Sequence, residues 1–152
     1  MCPGSKNPRL ISLRCLIMTP EAIFYKKIRE NLPGCYFTRI ESRVGLGIPD
    51  ILLGLDSGKF VMMEVKVLFR GFKVHISPHQ VAFHVKHARI DCPVFVLIKK
   101  YTKTGPYGNG EIFLYRGADA ASLQEIGLRE VPLAHWPVDT VDWNRMRGLL
   151  DT

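Results

Sequence analysis

The pattern of apolar and polar positions divides the chain into short elements. From Thr19 to about Asn31, Ile23, Phe24 and Ile28 form one apolar stripe at helical spacing. Thr19 suits the N-cap, Pro20 suits the first helical position, and Pro33-Gly34 ends the helix. Cys35 to Ser42 alternates as a strand does, and Gly45-Leu46-Gly47 is a flexible loop. Asp50 to Leu55 is a short apolar strand, Asp56-Ser57-Gly58 a turn, and Lys59 to Leu68 a second strand, so 50–68 should form a hairpin. Arg70 to Ile76 is a basic loop, and Ser77-Pro78 opens a helix running to about Ile90. Val94 to Lys99 is a β-prone, buried strand. A loop spans Thr104 to Gly110, Glu111 to Tyr115 is another strand, and 118–126 and 139–150 each suit a short helix. No internal repeat or low-complexity tract interrupts this order. The expected fold class is α/β: one mixed central sheet of four or five strands, flanked by helices.

Length adds that 152 residues make one domain, large enough to bury a core without disulfides or a structural metal. With 47% hydrophobic and 23% charged residues, the chain is neither collagen-like, mucin-like nor wholly disordered. No apolar run approaches the roughly 20 residues of a membrane span. Cys2, Cys15, Cys35 and Cys92 are far apart and form no CxxC pair, so neither a zinc ribbon nor a disulfide framework is expected. A reducing, cytoplasmic location follows as the default. Residues 1–18 lack the features of a targeting signal, because Arg14 interrupts the apolar stretch and no small-residue cleavage site follows. They read as a poorly ordered extension or as the product of an upstream start codon.

Charge narrows the class of partner. The net charge is +7, and it is uneven: residues 1–110 hold 17 basic and 7 acidic residues, whereas 111–152 hold 4 and 7. A basic body of this size points to a polyanion, most simply nucleic acid. The alternative is a merely soluble basic protein.

The candidate chemistry centres on Pro49-Asp50 and, fourteen residues after the aspartate, Glu64-Val65-Lys66. Side chains alternate along a strand, so Glu64 and Lys66 share one face and Val65 takes the other. Pairing 50–55 with 59–68 would bring Asp50 beside Glu64. Two adjacent carboxylates are costly unless a positive charge lies between them. A divalent cation resolves this, and hard oxygen ligands suit Mg²⁺ or Mn²⁺. Glu-x-Lys is common on solvated strand faces, but here Phe60, Val61, Met62, Met63 and Val65 make the strand mostly apolar, where an unpaired charge is expensive.

Gly47-Ile48-Pro49-Asp50, Glu64-Val65-Lys66 and Ser77-Pro78-His79-Gln80, taken together, resemble the PD-(D/E)xK nuclease superfamily. The closest resemblance is to its VRR-NUC branch, in the small stand-alone form of bacteriophages and bacteria, and it covers about residues 19–116. It implies a restriction-endonuclease-like domain. It implies that Asp50 and Glu64 bind the metal, with the Val65 carbonyl as a further ligand. Lys66 would position or activate the attacking water, and Gln80 would complete the site by hydrogen bonding. Glu21 matches the acidic residue often placed at the rim, with Glu30 and Glu41 as competitors. A Glu in a first helical turn also simply suits the helix dipole.

Gln80, His84 and His87 share one helix face. The two histidines would contact phosphate or assist proton transfer, or else be core histidines. A zinc site from His79, His84 and His87 is disfavoured, with no cysteine nearby in sequence. Arg39, Arg43, Arg70 and Lys73, with Lys99, Lys100 and Lys103, would grip DNA phosphates. Phe69 and Phe72, interleaved with them, could equally serve packing or dimer formation.

The resemblance thus implies metal-dependent hydrolysis of DNA phosphodiesters. It points to branched DNA, as in Holliday-junction resolvases that act as homodimers, and to a phage role in replication or packaging. Rival readings are a nicking or restriction-like enzyme that reads sequence through loop 101–110, and a non-enzymatic basic DNA-binding module. Residues 117–152, with Trp136 and Trp143, are expected to form a helical extension over the core or at a subunit interface.

Overall fold

The computed structural model describes residues 18–41, 45–102 and 110–152. Thr19 Oγ1 accepts the Ala22 N–H at 3.2 Å, and Pro20 opens helix α1 (Pro20–Asn31). The sheet strands are β1 (Cys35–Arg39), β2 (Ile51–Leu55), β3 (Phe60–Leu68), β4 (Val94–Tyr101), β5 (Gly110–Arg116) and β6 (Ala134–Pro137). Helices α2 (Pro78–Ala88), α3 (Ala120–Ile126) and α4 (Trp143–Leu150) complete the fold. No helix among the described residues is long and apolar enough to cross a membrane.

The strands lie in chain order across one six-stranded sheet. All neighbours are antiparallel except β3 and β4. A parallel pair needs a crossover, and α2 supplies it. The α/β class and the 50–68 hairpin are as expected, but the sheet has six strands rather than four or five. β6 escaped notice because it is four residues long and ends in proline, which cannot donate to a ladder. β1 also stops at Arg39, short of the expected Ser42. Residues 138–140 form a 3₁₀ turn, so the last helix starts later than its expected position at 139.

The two sheet faces are covered unequally. One face packs on α1 and α4 through Phe24, Ile28, Met146 and Leu150, against Leu53, Met63, Leu97, Leu114 and Trp136. The other packs on α2 and α3, mainly over β4 and β5, around Val96, Ile98, Tyr115 and Leu123. β4 is therefore buried on both sides and reads as a continuous apolar run. β2 alternates buried and half-buried positions, as a strand covered on one face does. β3 runs along the boundary between covered and open sheet.

The segment after Gly117 is tied into this body. Trp136, Met146 and Leu150 belong to the larger core, and Arg147 bridges Asp151 to Asp56 at the β2–β3 turn. Ser57 Oγ donates to Asp151 at 2.8 Å, closing the same corner. Removing the buried indole in Trp136→Ala should cost about 3–5 kcal/mol of unfolding free energy. Val131→Ala, at a position 78% exposed, should change it by no more than about 0.5 kcal/mol. Urea denaturation of both variants checks this, and equal effects would disprove a core role for Trp136.

Candidate active site

β2 and β3 pair only as far as Ile51–Met63. The same register, one step back, sets Asp50 beside Glu64, just before β2 begins. Pro49, which has no N–H, is buried at this departure point. Asp50 Oδ2 instead accepts the Val65 N–H at 3.2 Å, replacing the backbone acceptor that a continuing strand would have supplied. The preceding loop is seated on the start of α2: Gly47 has φ 83°, and any side chain there would collide with the His79 carbonyl.

The start of α2 is fixed by a reciprocal cap. Ser77 Oγ accepts the Gln80 N–H at 3.2 Å, and Gln80 Oε1 accepts the Ser77 N–H at 3.0 Å. The cap leaves the other end of the Gln80 amide facing β3, and Nε2 donates to Glu64 Oε1 at 2.6 Å. Lys66 Nζ lies 2.8 Å from the same oxygen. Glu64 is 1% exposed and Lys66 18%, so the carboxylate is interior and the ammonium sits at the mouth. Glu64 Oε2 is buried with no hydrogen-bond partner.

This environment disfavours the charged form of Glu64. Burial, then the Asp50 charge, push its pKa up from the ordinary 4.5 to about 7, against the opposing pull of Lys66. A buried carboxylate oxygen with no donor, beside a second carboxylate, presents a set of hard oxygen donors of the kind a divalent cation takes. The residues therefore fit a divalent metal ion. Among the described residues no three His, Cys, Asp or Glu side chains converge as a ligand cluster, which covers the disfavoured His79, His84 and His87 set as well.

Of the three acidic rim candidates, Glu21 is the one near Asp50. Glu21 lines a cleft of ≈ 50 Å³ with Tyr25, Arg39, Asp50, Ile51 and Val65. Neither Glu30, which lies 3.7 Å from Lys26, nor Glu41 lines it. Tyr25 was not anticipated, although it stands one helical turn after Glu21 and so shares its face. Its ring lies 5.8 Å from the Arg39 guanidinium carbon, within cation–π reach.

The outlying candidates are scattered. Arg70 and Lys73 are exposed on the loop after β3, while Arg43 and Lys103 lie outside the described residues. His84 corrects an expectation: it is 0% exposed, with Nδ1 at 2.8 Å from the Gln80 carbonyl, so it is a core histidine and cannot touch a phosphate. Burial holds its pKa down. His87 is half-buried, stacked on Phe83 at 3.9 Å, with Nδ1 at 2.7 Å from the Phe83 carbonyl.

No family model matches the chain, and no curated protein matches it. Among solved structures, the fold is similar to Hjc of Archaeoglobus fulgidus, a Holliday junction resolvase from an archaeal hyperthermophile. The identity is 16% and the TM-score 0.43, over 78% of this chain and 86% of that one.

Glu64 makes the metal-free protein sensitive to pH. Folded Glu64 titrates near 7 and an ordinary glutamate near 4.5, so the folded state holds the extra proton between these values. Stability should fall as pH rises through this window, by on the order of 3 kcal/mol, and the Glu64 contribution should level off above it. Glu64→Gln should flatten that part of the profile. Urea denaturation in EDTA across the window measures it; an unchanged slope in the variant would disprove the assignment.

Proposed function

We propose that the chain is a metal-dependent DNA endonuclease of the PD-(D/E)xK type, acting on branched DNA as a homodimer. One observation carries the nuclease reading: the interior Glu64 carboxylate has one oxygen held by Lys66 and Gln80 and the other unpaired beside Asp50. A purely structural carboxylate would have its second oxygen satisfied. The order of the three motifs supports the superfamily, and the VRR-NUC branch is the finer form of the same reading. The net charge of +7 supports a polyanionic substrate. The branched substrate and the dimer follow from the resemblance alone.

Asp50 and Glu64 would hold Mg²⁺ or Mn²⁺, with the Val65 carbonyl beside them and Glu21 at the rim. The cation supplies charge against the phosphate oxygens and lowers the pKa of water. Gln80 fixes the Glu64 carboxylate, and its capping bonds to Ser77 keep it in place. Lys66, adjoining the same carboxylate, orients the attacking water and opposes charge developing on phosphorus oxygens. The resemblance implies that water attacks phosphorus and the 3′ oxygen leaves as a hydroxyl, the proton lost by water being passed to solvent, so the products would carry a 5′ phosphate. Arg39, on the cleft wall, grips a flanking phosphate.

The decisive assay offers a labelled four-way junction, a flap or nicked substrate and linear duplex, each with Mg²⁺, Mn²⁺ or EDTA. Symmetric, metal-dependent cuts in the junction are expected, slowed at least about a hundredfold in Lys66→Ala. Equal cutting of all substrates would keep the nuclease and discard junction preference. Cutting at sequence-determined positions would favour the restriction-like or nicking reading. Tight binding without cutting under any metal would leave a DNA-binding module.

Phosphate contact by Arg39 has its own signature. Arg39→Ala should weaken DNA binding uniformly across sequences and reduce the slope of log K against log salt by about 1. Fluorescence anisotropy in EDTA at several salt concentrations checks this. An unchanged slope would remove Arg39 from the interface.

A further inference from the structure

Beyond the carboxylates, β3 runs on past the end of β2 and finishes at Leu68 opposite Lys100. Phe69 and Tyr101 follow, and their rings stack in parallel, with centroids 4.9 Å apart and planes 5° from each other. Lys99 Nζ lies 4.4 Å from the Tyr101 centroid. Tyr101 is buried, but Phe69 remains 48% exposed. The two phenylalanines of the following loop differ in this respect: the Phe72 ring is overlaid by the Arg129 guanidinium at 3.7 Å, whereas Phe69 opens onto a cleft of ≈ 460 Å³. Arg70, Lys100, Tyr101 and Glu111 are among the residues that line it. Among the described residues, Glu111 is the acidic group on this wall, and it is engaged by His135 at 3.0 Å.

We propose that the Phe69 ring, pre-stacked on Tyr101 and flanked by Arg70 and Lys100, is a platform on which an unpaired DNA base stacks. Stacking on Tyr101 holds Phe69 in one orientation, so little rotamer freedom remains to be lost when a base adds to the pile. Flat rings beside cations are how proteins hold single-stranded DNA, because every base has a π-face and every nucleotide a phosphate. A base within a duplex has both faces covered by its neighbours. A lone exposed ring therefore selects bases at a fork, flap, nick or junction. Phe69 stands three residues beyond Lys66, about 10 Å along the strand. The platform rests on the reading that DNA is the ligand, and deepens it by giving branched DNA a physical basis in this chain.

The test uses the full chain in EDTA and a forked oligonucleotide with 2-aminopurine in its unpaired arm, whose fluorescence is quenched on stacking. Wild type should quench the probe. Phe69→Ala should lose the quench and bind the fork about fivefold or more weakly. Phe69→Leu keeps apolar volume in the packing but has no flat face, and should lose the quench while melting at the wild-type temperature. Phe69→Trp should retain it. A fully paired duplex should bind equally to all four proteins. Undiminished quenching in Phe69→Leu, equal weakening for fork and duplex, or no DNA binding at all would overturn the platform. Saturable quenching of the free 2-aminopurine deoxynucleotide, with none in the fork, would assign the cleft to a mononucleotide and overturn it too. Fork quenching that depends on Phe69, in a protein that cuts nothing with any metal, would keep the platform and remove only the nuclease.

Discussion

The organisation of this molecule depends on keeping one carboxylate, that of Glu64, inside the protein. An ionised carboxylate taken out of water loses its hydration, and only hydrogen bonds and opposite charge offset that loss. Lys66 and Gln80 provide both, but to the same oxygen. The second oxygen has no such partner and Asp50 adds a like charge beside it, so burial first and the Asp50 charge second push the pKa of Glu64 up to about 7. The arrangement is suboptimal for stability alone, because an apolar residue on β3 would be cheaper. Such strained electrostatics gather where a protein works on something outside itself.

Each donor reaches Glu64 through a different structural device. Lys66 arrives through strand periodicity, two residues along β3 on the same face. Gln80 arrives through the parallel crossover, which sets the start of α2 over β3, and through the cap with Ser77, which turns its amide nitrogen toward the carboxylate. Asp50 arrives through its place just before β2 begins and the loop seated on α2 at Gly47. The unequal covering of the sheet makes these compatible. If α2 and α3 extended over β2, Glu64 would be sealed; if they stopped short of β4, it would be solvated and its pKa ordinary.

Most of this was legible in the chain because the site is built from short-range patterns. The helix starts at Thr19-Pro20 and Ser77-Pro78 and the 50–68 hairpin are local signals, and the hairpin brings Asp50, Glu64 and Lys66 together; Gln80 was assigned by the family resemblance, and its contact with Glu64 depends on the crossover to α2. What was hidden is long-range. β6 has too few residues and too little periodicity to declare itself, and only its partner β5 makes it a strand. His84 shares a helix face with Gln80 in projection, yet α2 packs closely enough to bury it completely, and periodicity does not measure packing depth. The choice of Glu21 over Glu30 and Glu41 likewise needed the position of α1 relative to Asp50. The stack of Phe69 on Tyr101 joins residues that are distant in sequence and adjacent only through the β3–β4 register.

The local acidity and the global basicity of the chain are parts of one electrostatic design. A DNA strand approaching Asp50 and Glu64 alone would be repelled at close range. At longer range the excess of positive charge within residues 1–110 would dominate, screened over roughly 10 Å at moderate salt, and would draw a polyanion in. Near the cleft, Arg39 and Lys66 are the cations that remain beside the carboxylates. Their charge is not sufficient to neutralise both acids and a phosphate together. A bound cation would offset what remains, and the hard carboxylate oxygens suit a divalent one. On the proposed reading the roles are separate: acidic groups and Lys66 on β3 where the reaction would occur, and Phe69 with Arg70 just past its end, where a strand would only need to be held.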